Sequence, residues 1–127
     1  MAGPKASQQV VLLANKTATT TTTYDLSGLW ASLPFVGGPL LAQIVLDETA
    51  GTTTCDVTVT GSLDGTNYST LLAFTQASAD GAEIKQFTIN PVGCVKLRMV
   101  VTLGGSGTWN AKLYVGGSMI GPQGMSY

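Results

Sequence analysis

The stretch from Thr53 to Phe74 constrains the fold most strongly, because it has the pattern of a β-hairpin. Residues 55–60 (CDVTVT) alternate apolar with polar side chains, which is the period-2 pattern of a half-buried strand. Residues 61–67 (GSLDGTN) supply turn chemistry, and residues 68–74 run back as a second strand. A chain with such a hairpin near its middle is expected to build a sheet around it.

The length of the turn decides which side chains share a face. A turn of two or four residues places Val57 and Val59 on the same face as Tyr68, Leu72 and Phe74. A three-residue turn matches the valines with a smaller apolar set instead. Because register follows the face that must be buried, the sequence predicts the even-length turn.

The rest of the chain repeats short strand patterns between Gly, Pro and Asp-Gly punctuation. Residues 40–47 (LLAQIVLD) are apolar almost throughout, which predicts a central strand covered on both sides. The five consecutive threonines from Thr19 to Thr23 favour an edge strand or an extended arm. No segment has helical periodicity, so we predict an all-β fold, a single antiparallel sandwich or jelly roll of about eight strands. The other predicted strands are 9–14, 83–89, 94–103 (with Val95 inward) and 108–115.

A chain of 127 residues is expected to form one domain. Gly and Pro near both ends predict extended arms at residues 1–8 and 118–127, around a sandwich at residues 9–117. The charged fraction of 10% is low, and a net charge of −1 offers no basic footprint for nucleic acid. No apolar run is long enough for a membrane span or a signal peptide. A neutral surface rich in Thr, Ser and Gly is suited to contact with other protein.

Enzyme chemistry is hard to build from these residues. The chain has no histidine, the commonest general base and metal ligand, so we expect no catalytic, cofactor or metal site. Its seven carboxylates fall mostly at turns or on outward faces. Asp64, Thr66 and Asn67 could offer oxygen ligands to calcium, although the same residues are ordinary turn formers.

The two cysteines are expected to be reduced and non-catalytic. Cys55 shares the apolar face of its strand, whereas Cys94 is in phase with Lys96 and Arg98. Side chains on opposite faces of their strands do not meet the geometry of a disulfide. Both observations suit a protein made in a cytoplasm.

Two segments give the chain a family resemblance. Residues 56–74 (DVTVTGSLDGTNYSTLLAF) and 95–117 (VKLRMVVTLGGSGTWNAKLYVGG) resemble small virion proteins of tailed bacteriophages. In that group a GSxDGxN-aromatic hairpin precedes a strand carrying Arg and a Gly/Ser turn. The segments VVLLANKTATTTTTYDLSG and LLAQIVLDET also look like that group. The resemblance implies a capsid decoration (cement) protein or another head or tail component, and it implies no catalytic residues.

The resemblance implies localisation on the capsid surface of the virion, after synthesis in the cytoplasm of a bacterial host. The expected partners are the major capsid protein and other copies of the chain, for example in a trimer. We expect the contacts in the two arms, in the threonine run and on the outward face of the last strand. These candidate residues are Ala2, Lys5, Gln8, Gln9, Thr20, Thr22, Tyr114, Met119, Ile120, Met125 and Tyr127.

Two alternatives remain open at this stage. One is a carbohydrate-binding module on the virion surface, which would need Trp30, Tyr68 or Tyr114 exposed as a sugar platform. Trp109 is in phase with Leu113 and is expected in the core instead. The other alternative is a tail or head–tail connector subunit, which would form rings and would not coat a shell.

Overall fold

The structure is a computed structural model that describes residues 6–120, and the side chains of residues 8–119. In this range eight strands and one helical turn form two four-stranded sheets, so the all-β prediction is confirmed. The strands are β1 (Ala6–Ala18), β2 (Thr22–Asp25), β3 (Leu41–Gly51), β4 (Cys55–Ser62), β5 (Ser69–Ala73), β6 (Gly81–Gln86), β7 (Lys96–Leu103) and β8 (Gly107–Ile120), and helix α1 spans Ser27–Trp30.

The strand order is that of a jelly roll. The first sheet runs β1–β8–β3–β6 and the second runs β2–β7–β4–β5, and all the neighbouring strands are antiparallel. Along the described chain, only β4 and β5 are consecutive strands of the same sheet, and every other connection crosses to the opposite sheet. This double-sheet arrangement of eight strands is one way in which antiparallel proteins limit their open edges.

The core lies between the inner faces of the two sheets. β8 contributes Trp109, Leu113 and Val115, none of which is exposed to solvent. Each large aliphatic side chain buried in this layer stabilises the fold by about 1.5–3 kcal/mol. The other fully enclosed large side chains are Leu40, Ile44, Val57, Val59, Leu72, Pro91, Leu97, Met99 and Val101.

A β-bulge modifies the predicted hairpin between β4 and β5. Val59 pairs with Leu72, but the register shifts by one residue between Val59 and Thr60, so Leu71 is an extra residue in β5. Leu72 and Phe74 are buried as predicted, and Leu71 is buried beside them. The prediction that Tyr68 shares their face is wrong, because the bulge reverses the alternation between itself and the turn, and Tyr68 therefore lies on the outer face.

The strands at both ends of the described chain are longer than the sequence indicated. Ala6 pairs with Ile120 and Gln8 with Ser118, so residues 6–8 and 118–120, predicted as arm, belong to β1 and β8. The physical reason is that β8 lies between β1 and β3, and β1 gives it a partner from Trp109 to Ile120. The remaining arm residues, 1–5 and 121–127, lie outside the described residues.

Two predicted burial patterns are also corrected. β3 is an internal strand, yet only its inner face is covered, and Leu41 on the outer face is 48% exposed. A two-layer sandwich covers one face of each sheet, so an apolar outer face remains in solvent. The strand predicted to begin at Cys94 begins at Lys96, and Val95, predicted to face inward, is 54% exposed.

Candidate interaction surface

The outer face of the first sheet carries rows of side chains that lie side by side on four strands. Tyr114 of β8 is the cross-strand partner of Leu12 in β1 and of Gln43 in β3. Gln43 pairs in turn with Ile84 in β6. The next row, in the same order of strands, consists of Val10, Gly116, Leu41 and Gln86.

Exposed apolar side chains cluster in these two rows. Val10 is 73% exposed and Ile84 60%, while Leu12 and Leu41 are 44% and 48% exposed. Tyr114 lies half-buried among them. A shallow hollow of about 160 Å³ opens between Val10, Leu41, Ile84 and Tyr114. We term Val10, Leu12, Leu41, Ile84 and Tyr114 the apolar patch. Contiguous exposed apolar surface of this kind typically marks an interaction site.

Hydrogen-bonded polar side chains border the apolar patch at both ends of the sheet. At one end Gln8 Nε2 donates to Ser118 Oγ at 3.2 Å. At the other end Asn110 Nδ2 donates to Asn15 Oδ1 at 3.0 Å and to the carbonyl oxygen of Lys16 at 3.3 Å. An apolar centre with a polar rim is the usual anatomy of a protein–protein interface.

The outer face of the second sheet is polar by comparison. In β4 the residues that alternate with the buried ones are Asp56, Thr58 and Thr60, and all three are partly exposed. Arg98 in β7 lies on the same face, and its guanidinium covers the ring of Tyr68 at 3.7 Å from the centroid. Of the two outer sheet faces, that of the first sheet is therefore the apolar one.

The structure separates the sequence-predicted contact residues into two regions. Gln8 and Tyr114 lie on the outer face of the first sheet, and Gln9 is exposed next to Gln8 on β1. Thr20 and Thr22 lie at the connection to β2 of the second sheet, where Thr22 Oγ1 donates to the carbonyl oxygen of Thr20 at 2.9 Å. The threonines therefore do not extend the surface around Tyr114.

Met119 is a correction to the predicted contact residues. It is only 9% exposed, because the odd-numbered residues of β8 point inward, and it also forms an isolated bridge with Phe35. Ile120 ends β8, and its side chain is not described. The other predicted contacts lie outside the described residues; they are Ala2, Lys5, Met125 and Tyr127.

Sequence reasoning missed the aliphatic part of the apolar patch. Residues 40–47 are apolar at both odd and even positions, a pattern that predicts a strand covered on both faces. In a two-layer fold the same pattern indicates an exposed apolar outer face. Val10, Leu12 and Ile84 could be found from sequence only by assigning each strand to its face first.

The aromatic side chains do not form an open platform among the described residues. Trp30 is 6% exposed and stacks on Phe35, with the ring centroids 5.5 Å apart and the planes at 27°. Tyr68 has one ring face covered by Arg98. A sugar platform of the kind considered from sequence is therefore restricted to what remains exposed of Tyr68 and Tyr114.

The carboxylate of Asp64 is fully engaged in shaping the hairpin turn. Its oxygens accept hydrogen bonds from the backbone N–H and side-chain amide of Asn67, the backbone N–H of Thr66 and the hydroxyl of Ser62, at 2.7–2.9 Å. These bonds, the backbone one from Asn67 foremost, hold the pKa of Asp64 well below its usual value. The carboxylate thus has a structural role that needs no calcium.

The described part of the chain contains no cluster of three or more His, Cys, Asp or Glu that could hold a metal. Cys55 and Cys94 are both free thiols, as predicted. Within the same residues no helix has the length and apolarity to cross a membrane.

Comparison with known proteins finds similarity of fold to solved structures. No protein-family model matches the chain, and a search of curated proteins found no significant match. The chain is similar to a Clostridium thermocellum xylanase 10B chain with CBM22-1 and GH10 modules, solved with xylohexaose (TM-score 0.51, 9% identity, 96% of this chain and 25% of that chain covered). It is also similar to chains from two structures of infectious bursal disease virus, the T13 viral particle (TM-score 0.51, 11% identity, 94% and 32% covered) and the Gx strain (0.50, 13%, 94% and 33%).

This chain spans between about a quarter and a third of the length of these neighbours. At such identities the likeness is one of fold.

Proposed function

We propose that this chain is a non-enzymatic structural protein of a bacteriophage virion, specifically a decoration (cement) protein that binds the outer surface of the head. The observation that carries the proposal is the apolar patch on one outer face of a jelly roll whose other outer face is polar. The fold likeness to chains of a virus particle supports a virion role, and the resemblance of residues 56–74 and 95–117 supports the bacteriophage part.

The proposed partner is the major capsid protein, and the proposed mechanism is non-covalent stapling of neighbouring capsid subunits. Tyr114 lies between Leu12 of β1 and Gln43 of β3 and lines the same hollow as Val10, Leu41 and Ile84, which suits an aromatic anchor of an interface. The five residues of the apolar patch carry no charge, and Lys112, two positions from Tyr114 on the same face of β8, borders them. Neither nucleic acid nor a membrane is part of the proposal.

The test measures binding of the purified protein to phage heads that lack it, by co-sedimentation. Leu41→Lys and Ile84→Lys each place a charge in the apolar patch, and we expect each to weaken head binding at least about tenfold. Leu63→Lys is the matched control, because Leu63 is a 74% exposed leucine on the hairpin turn of the other sheet. Undiminished binding by both patch variants would contradict the proposal.

Carbohydrate binding is the second candidate function. The fold likeness to a chain with a CBM22-1 module, and the half-exposed ring of Tyr68, are the observations in its favour. The cover of Arg98 over that ring and the burial of Trp30 stand against it. A glycan array that includes xylo-oligosaccharides tests it, with Tyr68→Ala as the variant that should abolish any signal.

The connector alternative differs in where the copies lie on the virion. A tail or head–tail connector subunit would form a ring at one vertex, whereas a decoration protein would coat the shell. Electron microscopy of virions carrying a labelled copy of the chain distinguishes the two arrangements directly.

A further inference from the structure

The four sheet edges of the jelly roll are not equally protected. β6 carries Glu83 and Lys85, which reach across to the second sheet: Glu83 Oε1 accepts a hydrogen bond from Thr75 N–H at 2.8 Å, and Lys85 Nζ donates to the carbonyl oxygen of Ala73 at 2.9 Å. Charged residues turned inward on an edge strand are a known protection against pairing with another chain. β6 is therefore blocked as a template for a further strand.

The two edges of the second sheet are protected in other ways. The edge of β5 is covered by the segment that follows β6, because the N–H groups of Thr88 and Ile89 both donate to the carbonyl oxygen of Leu71, at 2.9 and 3.3 Å. β2 is only four residues long. Very short or covered edges offer little for another strand to bind.

β1 is the exception, with 13 residues at the edge of the first sheet. Its C-terminal part approaches β2, where Tyr24 Oη donates to the carbonyl oxygen of Thr17 at 3.3 Å. Among the described residues, no other segment pairs with Gln8, Val10 or Leu12 on the side of β1 that faces away from β8. An uncovered edge of this length is a ready template for pairing with another chain.

The hydrogen-bond pattern of β8 shows which residues of β1 face the open edge. Val36 N–H donates to the carbonyl oxygen of Ser118 from the β3 side of β8. Because backbone polar groups alternate sides along a strand, those of Gly117 and Val115 point to β1, towards their partners Gln9 and Val11. The backbone groups that point away from β8 therefore belong to Gln8, Val10 and Leu12.

The open edge is also uncharged and apolar. Residues 8–15 (QQVVLLAN) contain no charged side chain, and Lys16 stands at the end that approaches β2, with its ammonium 5.8 Å from the Tyr24 ring. Val10 and Leu12 are exposed directly beside the edge. Edge strands that avoid association usually carry charge or proline at such positions, and residues 8–15 have neither.

We propose that two copies of this chain pair through the open edges of their β1 strands and form a two-fold dimer with one continuous eight-stranded sheet. A second copy fits because antiparallel pairing centred on Val10 places Val10 opposite Val10 and Gln8 opposite Leu12, so the edge is complementary to itself without like charges in contact. The pairing also joins the two apolar patches into one surface. Since the contact is two-fold, it produces a dimer and not the trimer considered from the sequence.

The test uses the purified full chain without heads, so its outcome does not depend on the proposed capsid function. Analytical ultracentrifugation from about 1 µM to 1 mM should show a concentration-dependent dimer, because one strand pair is a small interface. Val10→Lys sets two lysines opposite each other at the two-fold axis, and we expect it to weaken dimerisation at least about tenfold. Ile84→Lys is the matched control, since Ile84 belongs to the same apolar patch but lies on β6, the far edge.

A cross-link identifies the pairing itself. In a Cys94→Ser background, Val10→Cys should give a covalent dimer with a short bis-maleimide, because centred pairing holds the two Cβ atoms about 5 Å apart. Ile84→Cys in the same background should not. A monomer over the whole concentration range, equal weakening by Val10→Lys and Ile84→Lys, or equal cross-linking of the two cysteine variants would overturn the proposal. Loss of head binding by Ile84→Lys with an intact dimer would leave both proposals standing.

Discussion

The guanidinium carbon of Arg98 lies 3.7 Å from the centroid of the Tyr68 ring, on the outer face of the second sheet. Arg98 is in β7, and Tyr68 immediately precedes β5, two strands away. The contact therefore spans β4 and connects the return arm of the hairpin to the middle of the sheet. A cation this close to an aromatic face is attracted by the ring quadrupole.

The first prediction concerns the energy of this contact. A double-mutant cycle with Tyr68→Leu and Arg98→Met should give a coupling energy of about 0.5–1 kcal/mol in urea unfolding, since the pair is only partly exposed. Coupling should weaken little in high salt, because the ring carries no net charge. Additive effects of the two substitutions would show that the contact does not contribute to stability.

The position of Tyr68 shows where sequence reasoning reached its limit. The hairpin itself was predictable, because it is local and its two strands alternate cleanly. Its register near the turn was not, because the extra residue Leu71 is apolar like its neighbour Leu72, and either can be buried. A one-residue bulge reverses the face of every residue between it and the turn.

The jelly-roll strand order and the apolar patch could not be predicted from the sequence, for a related reason. The remaining strand pairs join segments far apart in the chain, such as Leu12 with Tyr114, and no local pattern specifies them. The patch exists only because Leu41 and Ile84 are brought to the same face by those pairings. Tyr114 was found because a single strand with clean alternation, Thr108 to Val115, determined its face.

The second prediction concerns Gly51, where β3 ends. Its φ is +82°, and a Cβ there would lie 2.8 Å from the backbone carbonyl oxygen of Ser106. Gly51→Ala therefore suffers both an unfavourable backbone conformation and a clash with rigid backbone, and we expect it to lower the free energy of unfolding by about 1–3 kcal/mol. Gly81→Ala is the control, because its Cβ would meet nothing within 4 Å, and it should change stability by less than about 0.5 kcal/mol. Equal stability of the two variants in urea unfolding would contradict this account.

The third prediction is a pH dependence that arises from Asp64. Hydrogen bonds from Asn67, Thr66 and Ser62 lower the pKa of its carboxyl in the folded protein. A folded pKa below the unfolded value of about 3.9 means that the stabilisation is complete above that pH and is lost as the pH falls towards the folded pKa. Asp64→Asn should therefore be less stable than the parent protein at pH 7, with a difference that shrinks steadily below about pH 4. A difference in urea midpoint that is constant from pH 7 to pH 2.5 would argue against the carboxylate as the cause.

The fourth prediction concerns the two thiols. Cys55 is fully buried, and this burial, with a smaller contribution from Asp56, raises its pKa to about 11. Cys94 is half-buried, and burial raises its pKa as well. Because the thiolate is the reactive form and must also be reached, a disulfide reagent at pH 8 should modify one thiol per native chain and two in denaturant. Cys94→Ser should leave no thiol reactive in the native protein, and rapid modification of Cys55 in that variant would contradict the buried position.

The last prediction separates the N-terminal arm from the strand that follows it. Removal of residues 1–8 takes away the start of β1, including the pair of Ala6 with Ile120 and the bond from Gln8 Nε2 to Ser118 Oγ at 3.2 Å. We expect this truncation to lower both head binding and stability, the latter by about 1–3 kcal/mol. Removal of residues 1–5 leaves all the described pairs of the β1–β8 ladder in place, so the thermal midpoint should stay near that of the full chain. Head binding should fall, because the contacts assigned to Ala2 and Lys5 are removed. If the shorter truncation binds heads as tightly as the full chain, contacts assigned to Ala2 and Lys5 are wrong, and binding must be sought on the apolar patch alone.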